Sequence, residues 1–197
     1  MGEHCFPMIG ASANGSARSA RAVFLDRDGV LSKSLFFAGK PRAPRNSDDF
    51  EIYPTAPAAC RALKEAGWLI VVATNQPDIR TGDVSPAVVE AMHRRLQDEL
   101  AIDAIEVCAH VDADGCDCRK PLPGMLTRAA DRLGIDLSRS FMIGDRWRDI
   151  EAGRAAGCRT ILVDRGWPEK VSTPDLTVFD VGEAADAILA GFGQENT

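Results

Sequence analysis

The stretch that decides the fold is Ala22-Val23-Phe24-Leu25-Asp26-Arg27-Asp28-Gly29-Val30. Its four leading apolar residues predict a buried strand. Two carboxylates, Asp26 and Asp28, follow the strand, and Gly29 lets the chain turn. In a parallel α/β sheet, ligands bind at the carboxyl ends of the strands. A strand followed by Asp-Gly is equally typical of a hairpin turn, so the segment alone leaves a ligand site and a plain turn about equally favoured.

Size and composition indicate one ordinary globular domain. The chain has 197 residues, 45% hydrophobic and 26% charged, which suffices for a sizeable core without disulfides. The net charge of −6 argues against a broad nucleic-acid footprint, and no apolar run reaches membrane-spanning length. Residues 1–20 are rich in Ala, Ser and Gly and lack the apolar core of a signal peptide. We therefore predict a flexible leader over 1–20, a single domain over 21–193, and a cytoplasmic protein.

Strand and helix patterns alternate along the domain. The predicted strands are 22–25, 68–73, 104–108, 140–143, 159–163 and one near Leu176. The predicted helices are 55–66, 85–100, 121–133, a helix after Asp145 to about Ala156, and 182–190. The polar segment 32–53 is predicted to be an ordered loop beside the site. This alternation predicts a doubly wound, mostly parallel sheet with helices on both faces.

Polar residues follow three different predicted strands, namely Asp26, Thr74 and Asp145. Their alignment at one sheet edge favours a shared site over a plain turn. Asp149 lies four residues after Asp145, so both carboxylates can share one helix face and help to hold a cation bound by Asp26. Acids in a first helical turn also complement the helix dipole, and for Asp149 this alternative is nearly as strong.

Lys120-Pro121 is the basic candidate. Proline suits the first helical position, which would place Lys120 at a helix start, where free N–H groups bind phosphate. Hydrolysis of a phosphate monoester can require a rate acceleration of roughly 10²¹-fold, whereas general acid–base catalysis supplies only about 10²–10⁴-fold. A carboxylate nucleophile beside a cation and a lysine is therefore expected.

Together these motifs resemble the haloacid dehalogenase superfamily of phosphotransferases. Asp26-x-Asp28-Gly29 is similar to its first motif, Thr74 to its second, Lys120 to its third, and Gly144-Asp145-x-x-x-Asp149 to its fourth. The resemblance implies that Asp26 attacks phosphorus and forms an aspartyl-phosphate. It also implies that Asp28 protonates the leaving alkoxide and later deprotonates the attacking water.

The same resemblance implies how metal and phosphate are held. Mg²⁺ would be bound by Asp26, the backbone carbonyl of Asp28, and Asp145, with Asp149 supporting them. Hard oxygen ligands suit this ion. Phosphoryl oxygens would be held by Thr74 and Lys120, with Asn75 nearby.

A second cluster of metal-ligating residues comprises Cys108, His110, Cys116 and Cys118. Three thiolates and an imidazole match a closed structural zinc site. A disulfide is less favoured, because Cys116 and Cys118 are too close for easy pairing and the protein is expected to be cytosolic. Redox chemistry is weaker still, since the chain has no Cys-x-x-Cys. Of the remaining cysteines, Cys5, Cys60 and Cys158 are interpreted as ordinary small residues, the last two in the interior.

The zinc loop runs into Cys118-Arg119-Lys120-Pro121, which is similar to the branch containing heptose-bisphosphate phosphatases and the histidinol-phosphatase domain. This resemblance implies that no large cap is present and that Arg119 contacts the substrate. Two departures are that Arg80 lies one place earlier than in that branch, and that the loop with Arg42 and Arg45 is longer and more basic.

The expected protein is a Mg²⁺-dependent phosphatase of a small phosphorylated metabolite, acting as a monomer. A heptose bisphosphate or related sugar phosphate is favoured as substrate, and histidinol phosphate is the alternative. A phosphatase of nucleic-acid ends is disfavoured by the acidic chain. A non-catalytic zinc-binding module is disfavoured because every expected catalytic position is filled.

Overall fold

A seven-stranded sheet forms the centre of the computed structural model, which describes residues 5–8, 20–37, 39–170 and 172–193. The strands of the chain are β1 (Cys5–Met8), β2 (Ala22–Leu25), β3 (Leu35–Phe37), β4 (Lys40–Arg42), β5 (Leu69–Asn75), β6 (Ala104–Cys108), β7 (Phe141–Gly144), β8 (Arg159–Val163) and β9 (Leu176–Val178). The sheet order is β1-β6-β5-β2-β7-β8-β9, and β3 and β4 form a separate antiparallel hairpin. Six strands are mutually parallel, and β1 joins the edge of β6 antiparallel.

Helices cover both faces of the sheet. They are α1 (Ala56–Glu65), α2 (Asp78–Thr81), α3 (Pro86–Glu99), α4 (Gly124–Leu133), α5 (Trp147–Ala156) and α6 (Val181–Leu189), with 3₁₀ turns at Asp112–Asp114 and Leu137–Arg139. Alternate side chains of a strand point to opposite faces. Val23 and Leu25 accordingly pack in a core with α1, α3 and α6, whereas Ala22 and Phe24 pack in a second core with α4. Because both faces are buried, β2 is apolar throughout.

The predicted α/β class with a mostly parallel sheet is confirmed. Between the strands and helices of the main sheet, the described ranges hold a short hairpin, 3₁₀ turns and loops but no inserted cap domain. None of the helices in those ranges has the length and hydropathy that a membrane crossing requires.

The predicted start of the fourth helix is wrong. Helix α4 begins at Gly124, not at Pro121. Residues 119–122 instead form a turn of their own, in which the Leu122 amide donates to the Arg119 carbonyl at 2.9 Å. Lys120 therefore lies in a loop before the helix and does not stand beside its free N–H groups.

Several further elements differ from the sequence prediction, and α2 was not predicted. The segment 32–53 contains the hairpin β3–β4, and β5 extends to Asn75, so that Thr74 lies on the strand rather than after it. Strand β1 falls within the segment predicted as a leader. Its Pro7 is compatible with an edge strand, since proline cannot donate to a central ladder. Residues 1–4 and 9–19 lie outside the described residues, and the predicted division into leader and domain stays a prediction.

Candidate active site

Asp26, Lys120 and Asp149 form a buried ion-pair network at the carboxyl end of the sheet. The Lys120 Nζ lies 3.0 Å from Asp26 Oδ1 and 2.5 Å from Asp149 Oδ1. It also donates to the Ala73 carbonyl at 2.7 Å. The Arg27 backbone amide donates to Asp26 Oδ1 at 2.8 Å. Both contacts to Asp26 fall on Oδ1, so within the described residues Oδ2 is the oxygen left for a ligand.

Three carboxylates meet at this point. One oxygen each of Asp26, Asp145 and Asp149 lies within 4.8 Å of the others. The Oδ1 atom of Asp145 is buried and has no hydrogen-bond partner among the described residues. Three acids against the single ammonium of Lys120 leave an excess of negative charge in a buried place, which is costly without a cation. These hard oxygen donors fit Mg²⁺.

The other oxygen of the Asp149 carboxylate accepts from the Arg146 backbone amide at 3.0 Å. With Lys120 on its first oxygen, Asp149 is used on both sides by the protein. That arrangement suits the supporting role that the sequence predicts for it. The carboxylate of Asp145 is instead held by one donor, the Trp167 indole Nε1 at 2.6 Å from Oδ2.

Two glycines allow the carboxylates to come this close. At Gly29, where φ is +95°, a Cβ would lie 2.0 Å from Asp145 Oδ2. At Gly144, a Cβ would lie 2.0 Å from the Asp149 Cβ. Any side chain at either position would displace an acid of the cluster. Gly29 and Gly144 therefore leave room for the carboxylates of the cluster. In addition, Gly29 allows the chain to turn.

Burial and the neighbouring charges together set the pKa values of the cluster. Burial raises the pKa of Asp26 to about 6, although Lys120 opposes this effect. Burial, reinforced by the Asp149 and Asp26 charges, also raises the pKa of Asp145 well above its ordinary value. Burial alone would lower the pKa of Lys120, but the carboxylates of Asp149 and Asp26 outweigh it and the pKa is raised. The lysine is therefore charged, and its single ammonium leaves the three acids with an excess of negative charge that a divalent cation would neutralise.

Asp28 lies beside the same cluster, but its carboxylate has different neighbours. Its carboxylate accepts from the Arg27 guanidinium, from the Ser32 hydroxyl at 3.1 Å and from the Gln76 amide at 2.9 Å. Its side chain is 12% exposed. The contact with Arg27 joins two neighbouring residues of the first motif.

Gln76 is a site residue that the sequence analysis missed. Its Nε2 donates to Asp28 Oδ2 and, at 2.8 Å, to Thr74 Oγ1. Since the Thr74 oxygen accepts this bond, its own hydrogen can be donated to a ligand. Thr74 and Gln76 are both buried. The signal in the sequence was the position of Gln76 directly after the predicted phosphate-binding pair.

Asn75 contacts the loop that carries the lysine. Its Nδ2 donates to the Lys120 carbonyl and its Oδ1 accepts from the Lys120 amide, both at 3.1 Å. The two bonds fix the backbone of Lys120. They occupy both polar groups of the Asn75 side chain, and its predicted contact with phosphate stays a prediction.

The four predicted zinc ligands come together. The Sγ of Cys118 lies 3.2 Å from that of Cys108 and 3.5 Å from that of Cys116, and 3.3 Å from His110 Nδ1. Each residue offers one ligand atom within 4.8 Å of the others. The three cysteines form no disulfide, and three sulfurs with one ring nitrogen match a structural zinc site. The cluster could therefore hold zinc. Cys60 and Cys158 are buried in the interior, as predicted, and are not among these four ligands.

The metal loop holds Arg119. The Nη1 of Arg119 donates to the His110 carbonyl at 3.1 Å, and its Nε lies 2.5 Å from Asp112 Oδ1. A candidate zinc ligand and the predicted substrate-binding arginine are thus directly connected.

A cavity of about 430 Å³ joins these groups. Besides the acids, Thr74 and Lys120, its walls carry five basic side chains, namely Lys40, Arg42, Arg119, Arg146 and Arg148. Arg146 and Arg148 were not predicted, because the pattern around them indicates only a helix start. Arg45 does not line the cavity and instead pairs with Asp78 and Asp83, while Arg80 pairs with Asp114.

Comparison with known proteins agrees with this site. The HAD-hydrolase-like family model matches residues 117–184. The D-glycero-beta-D-manno-heptose-1,7-bisphosphate 7-phosphatase of Pseudomonas aeruginosa is 40% identical over 153 residues, which cover 75% of this chain and 83% of that protein. The enzyme of the same description from Escherichia coli K12 is 36% identical over 188 residues, covering 87% and 95%.

A solved structure is similar as well. The crystal structure of D,D-heptose 1,7-bisphosphate phosphatase from B. bronchiseptica, complexed with magnesium and phosphate, has a TM-score of 0.75 and 31% identity. The match covers 86% of this chain and 98% of that chain.

The fold and the site define a phosphatase of the haloacid dehalogenase class. Within that class, the chain belongs to the D-glycero-D-manno-heptose-1,7-bisphosphate 7-phosphatase family.

Proposed function

We propose that this protein hydrolyses the 7-phosphate of D-glycero-D-manno-heptose 1,7-bisphosphate through an aspartyl-phosphate on Asp26. The observation that carries the proposal is the cavity in which a buried Asp26–Lys120–Asp149 network faces five basic side chains. One phosphate beside Lys120 and a cation held by the acids, and a second on the basic wall, would match these charges. The two relatives named above are 7-phosphatases of D-glycero-beta-D-manno-heptose 1,7-bisphosphate.

In the first step, Asp26 Oδ2 attacks phosphorus and the bond from phosphorus to the sugar oxygen breaks. Asp28 donates a proton to that oxygen, so that the sugar leaves as an alcohol. Lys120, whose Nζ lies beside Asp26 Oδ1, holds the phosphoryl oxygens together with the Thr74 hydroxyl, whose oxygen accepts from Gln76 and leaves its hydrogen to be donated. Asp26, Asp145 and the backbone carbonyl of Asp28, with Asp149 supporting them, would hold Mg²⁺, which would supply positive charge to neutralise the charge that develops on the phosphoryl group.

In the second step, Asp28 takes a proton from water, which attacks the phosphorus of the aspartyl-phosphate. The bond to Asp26 breaks, and inorganic phosphate leaves. Gln76 contacts both Asp28 and Thr74, and it keeps the acid–base group and the phosphate donor in one arrangement through both steps.

We also propose that Cys108, His110, Cys116 and Cys118 bind one structural zinc ion. Its role is to hold the loop that leads to Arg119, which bonds to the His110 carbonyl. Within the described residues, Cys60, Cys108, Cys116, Cys118 and Cys158 form no disulfide, which is in keeping with the cytoplasmic location that we propose, since thiols persist in that compartment. We propose that the protein acts as a monomer.

The first test measures phosphate release by the purified protein with and without Mg²⁺, on heptose 1,7-bisphosphate, simple sugar phosphates and histidinol phosphate. Phosphorus NMR of the product identifies the phosphate removed. We expect Mg²⁺-dependent loss of the 7-phosphate, which Asp26→Asn abolishes because an amide does not attack phosphorus. The matched control is Asp98→Asn, an exposed aspartate on α3, which should retain full activity. Release from histidinol phosphate but not from the bisphosphate would reassign the substrate, and release from none would refute the proposal.

A further inference from the structure

Arg27 stands between the two aspartates of the first motif, but its side chain does not line the cavity. It is 0% exposed. Its Nε lies 3.0 Å and 3.1 Å from the two Asp28 carboxylate oxygens, and its Nη2 lies 2.8 Å from Oδ2. This fork-like contact with a carboxylate fixes both distance and plane, which a lysine ammonium cannot do.

The far side of the guanidinium contacts a buried histidine. Arg27 Nη1 lies 3.1 Å from His93 Nε2 on α3. A guanidinium only donates, so Nε2 must accept and the ring proton must sit on Nδ1. Burial and the Arg27 charge lower the pKa of His93 to about 3, in keeping with a neutral ring. The Nδ1 atom finds no partner in the part of the chain that the structure describes.

The face of Phe50 packs on the same guanidinium, with Arg27 Cζ 5.5 Å from the ring centroid. The guanidinium thus contacts His93 through Nη1 and Phe50 through its face, while its Nε and Nη2 bind Asp28. Burying a charge so completely is costly unless the charge is paired and hydrogen-bonded. Among the described residues, Asp28 is the ion-pair partner of Arg27. The buried guanidinium therefore holds the Asp28 carboxylate in one orientation.

We infer that Arg27, anchored by His93, is a positioning residue that fixes the plane of the Asp28 carboxylate for proton transfer. The inference rests on the proposed function, in which Asp28 is the acid and base. Arg27 acts through Asp28 and touches no substrate. Ser32 and Gln76 add neutral bonds to the same carboxylate, but neither provides a fork that sets its plane.

The kinetic test compares Arg27→Lys and Arg27→Gln with Asp28→Asn, using the phosphate ester that the wild-type protein hydrolyses fastest. Proton transfer is worth about 10²–10⁴-fold, and we expect the Arg27 variants to lose about 10–10²-fold in kcat. KM should change by less than about 3-fold, because Lys120, Thr74 and Arg119 are untouched. Combining Arg27→Gln with Asp28→Asn should cost no more than Asp28→Asn alone, since both changes disable one group. Multiplicative losses, or an effect on KM alone, would overturn the inference.

Two histidine variants carry the same test if an Arg27 variant fails to fold. His93→Gln keeps an acceptor for Arg27 and should retain kcat within about 3-fold. His93→Leu removes the acceptor and should lower kcat by about 10-fold. Equal kcat values in the two folded variants would contradict the anchoring role.

A crystal structure of Arg27→Lys separates this inference from the proposed function. We expect the Asp28 carboxylate to rotate from its wild-type plane. If it stays in place, the positioning role is refuted even where the phosphatase activity holds. If the wild-type protein hydrolyses no phosphate ester, the proposed function fails, and the orientation of Asp28 still decides whether Arg27 positions it.

Discussion

At the scale of single residues, Trp167 connects the acidic cluster to the wall of the cavity. Its indole N–H donates to Asp145 Oδ2 at 2.6 Å. Its ring stacks on Phe36 of the β3–β4 hairpin, with centroids 5.7 Å apart and planes within 9°. A donor behind a metal-binding carboxylate fixes the carboxylate's orientation, and loss of such a donor typically lowers metal affinity about 10–100-fold.

The variant Trp167→Phe should therefore weaken Mg²⁺ binding. Phenylalanine keeps a ring to stack on Phe36 but lacks the N–H. We expect the Mg²⁺ concentration for half-maximal activity to rise by about 10-fold, with little change in kcat at saturating Mg²⁺. A magnesium titration of phosphate release measures this. Trp147→Phe is the matched control, since that ring faces Arg148 and Lys170 rather than an acid. Identical titrations for both variants would argue against the role of Trp167.

At the scale of elements, the loop between β6 and α4 carries both the proposed zinc cluster and two basic residues of the site, Arg119 and Lys120. Arg119 is held by the His110 carbonyl, and the Lys120 backbone is held by Asn75 at the end of β5. The arginine therefore depends on the metal cluster, whereas the lysine has an independent attachment to the sheet. Loss of zinc should disturb substrate binding more than catalysis.

We expect about one zinc per chain in the purified protein, and none in Cys116→Ser, because a closed site needs all four ligands. Cys116→Ser should raise KM by about 10-fold and lower kcat much less. Metal analysis and steady-state kinetics measure the two effects. Cys158→Ser, a buried cysteine outside the cluster, and Asp26→Asn should both retain zinc. Wild-type protein purified without chelator but free of zinc would refute the site.

At the scale of the whole molecule, the buried His93 makes the free energy of unfolding depend on pH. Its pKa is lowered from 6.5 to about 3 by burial and by Arg27. The unfolded chain thus binds one more proton than the folded protein between these two values. The contribution is fully present above about pH 6.5, and it is lost as the pH falls towards 3.

The free energy of unfolding should accordingly fall by about 1.4 kcal/mol per pH unit below pH 6 through His93 alone. Urea unfolding of wild type and His93→Gln between pH 4 and 7 measures it, with the difference between the two curves isolating the histidine. We expect the pH dependence of His93→Gln to be shallower by that amount. Parallel curves would show that His93 is protonated in the folded protein as readily as in the unfolded chain.

The same scale shows how much of the fold could be read from the chain. The strands 104–108 and 159–163 agree with β6 and β8 residue for residue, because a strand buried on both faces is a continuous apolar run. The start of α4 was not predictable in this way. Pro121 suits a helix start, but the contact between Leu122 and Arg119 and that between Gly124 and Asp117 place the start three residues later.

By itself, the sequence determined the sheet of alternating strands and helices and the acids Asp26, Asp28 and Asp145, because periodicity and strand-end motifs are local. Only the tertiary structure decided that Arg27 pairs with Asp28 and His93, that Gln76 bridges Asp28 and Thr74, and that Trp167 holds Asp145. The physical reason is that most of these contacts join residues far apart in the chain. Which polar groups meet at the site depends on how the helices pack on the two faces of the sheet, and local sequence patterns do not specify that packing.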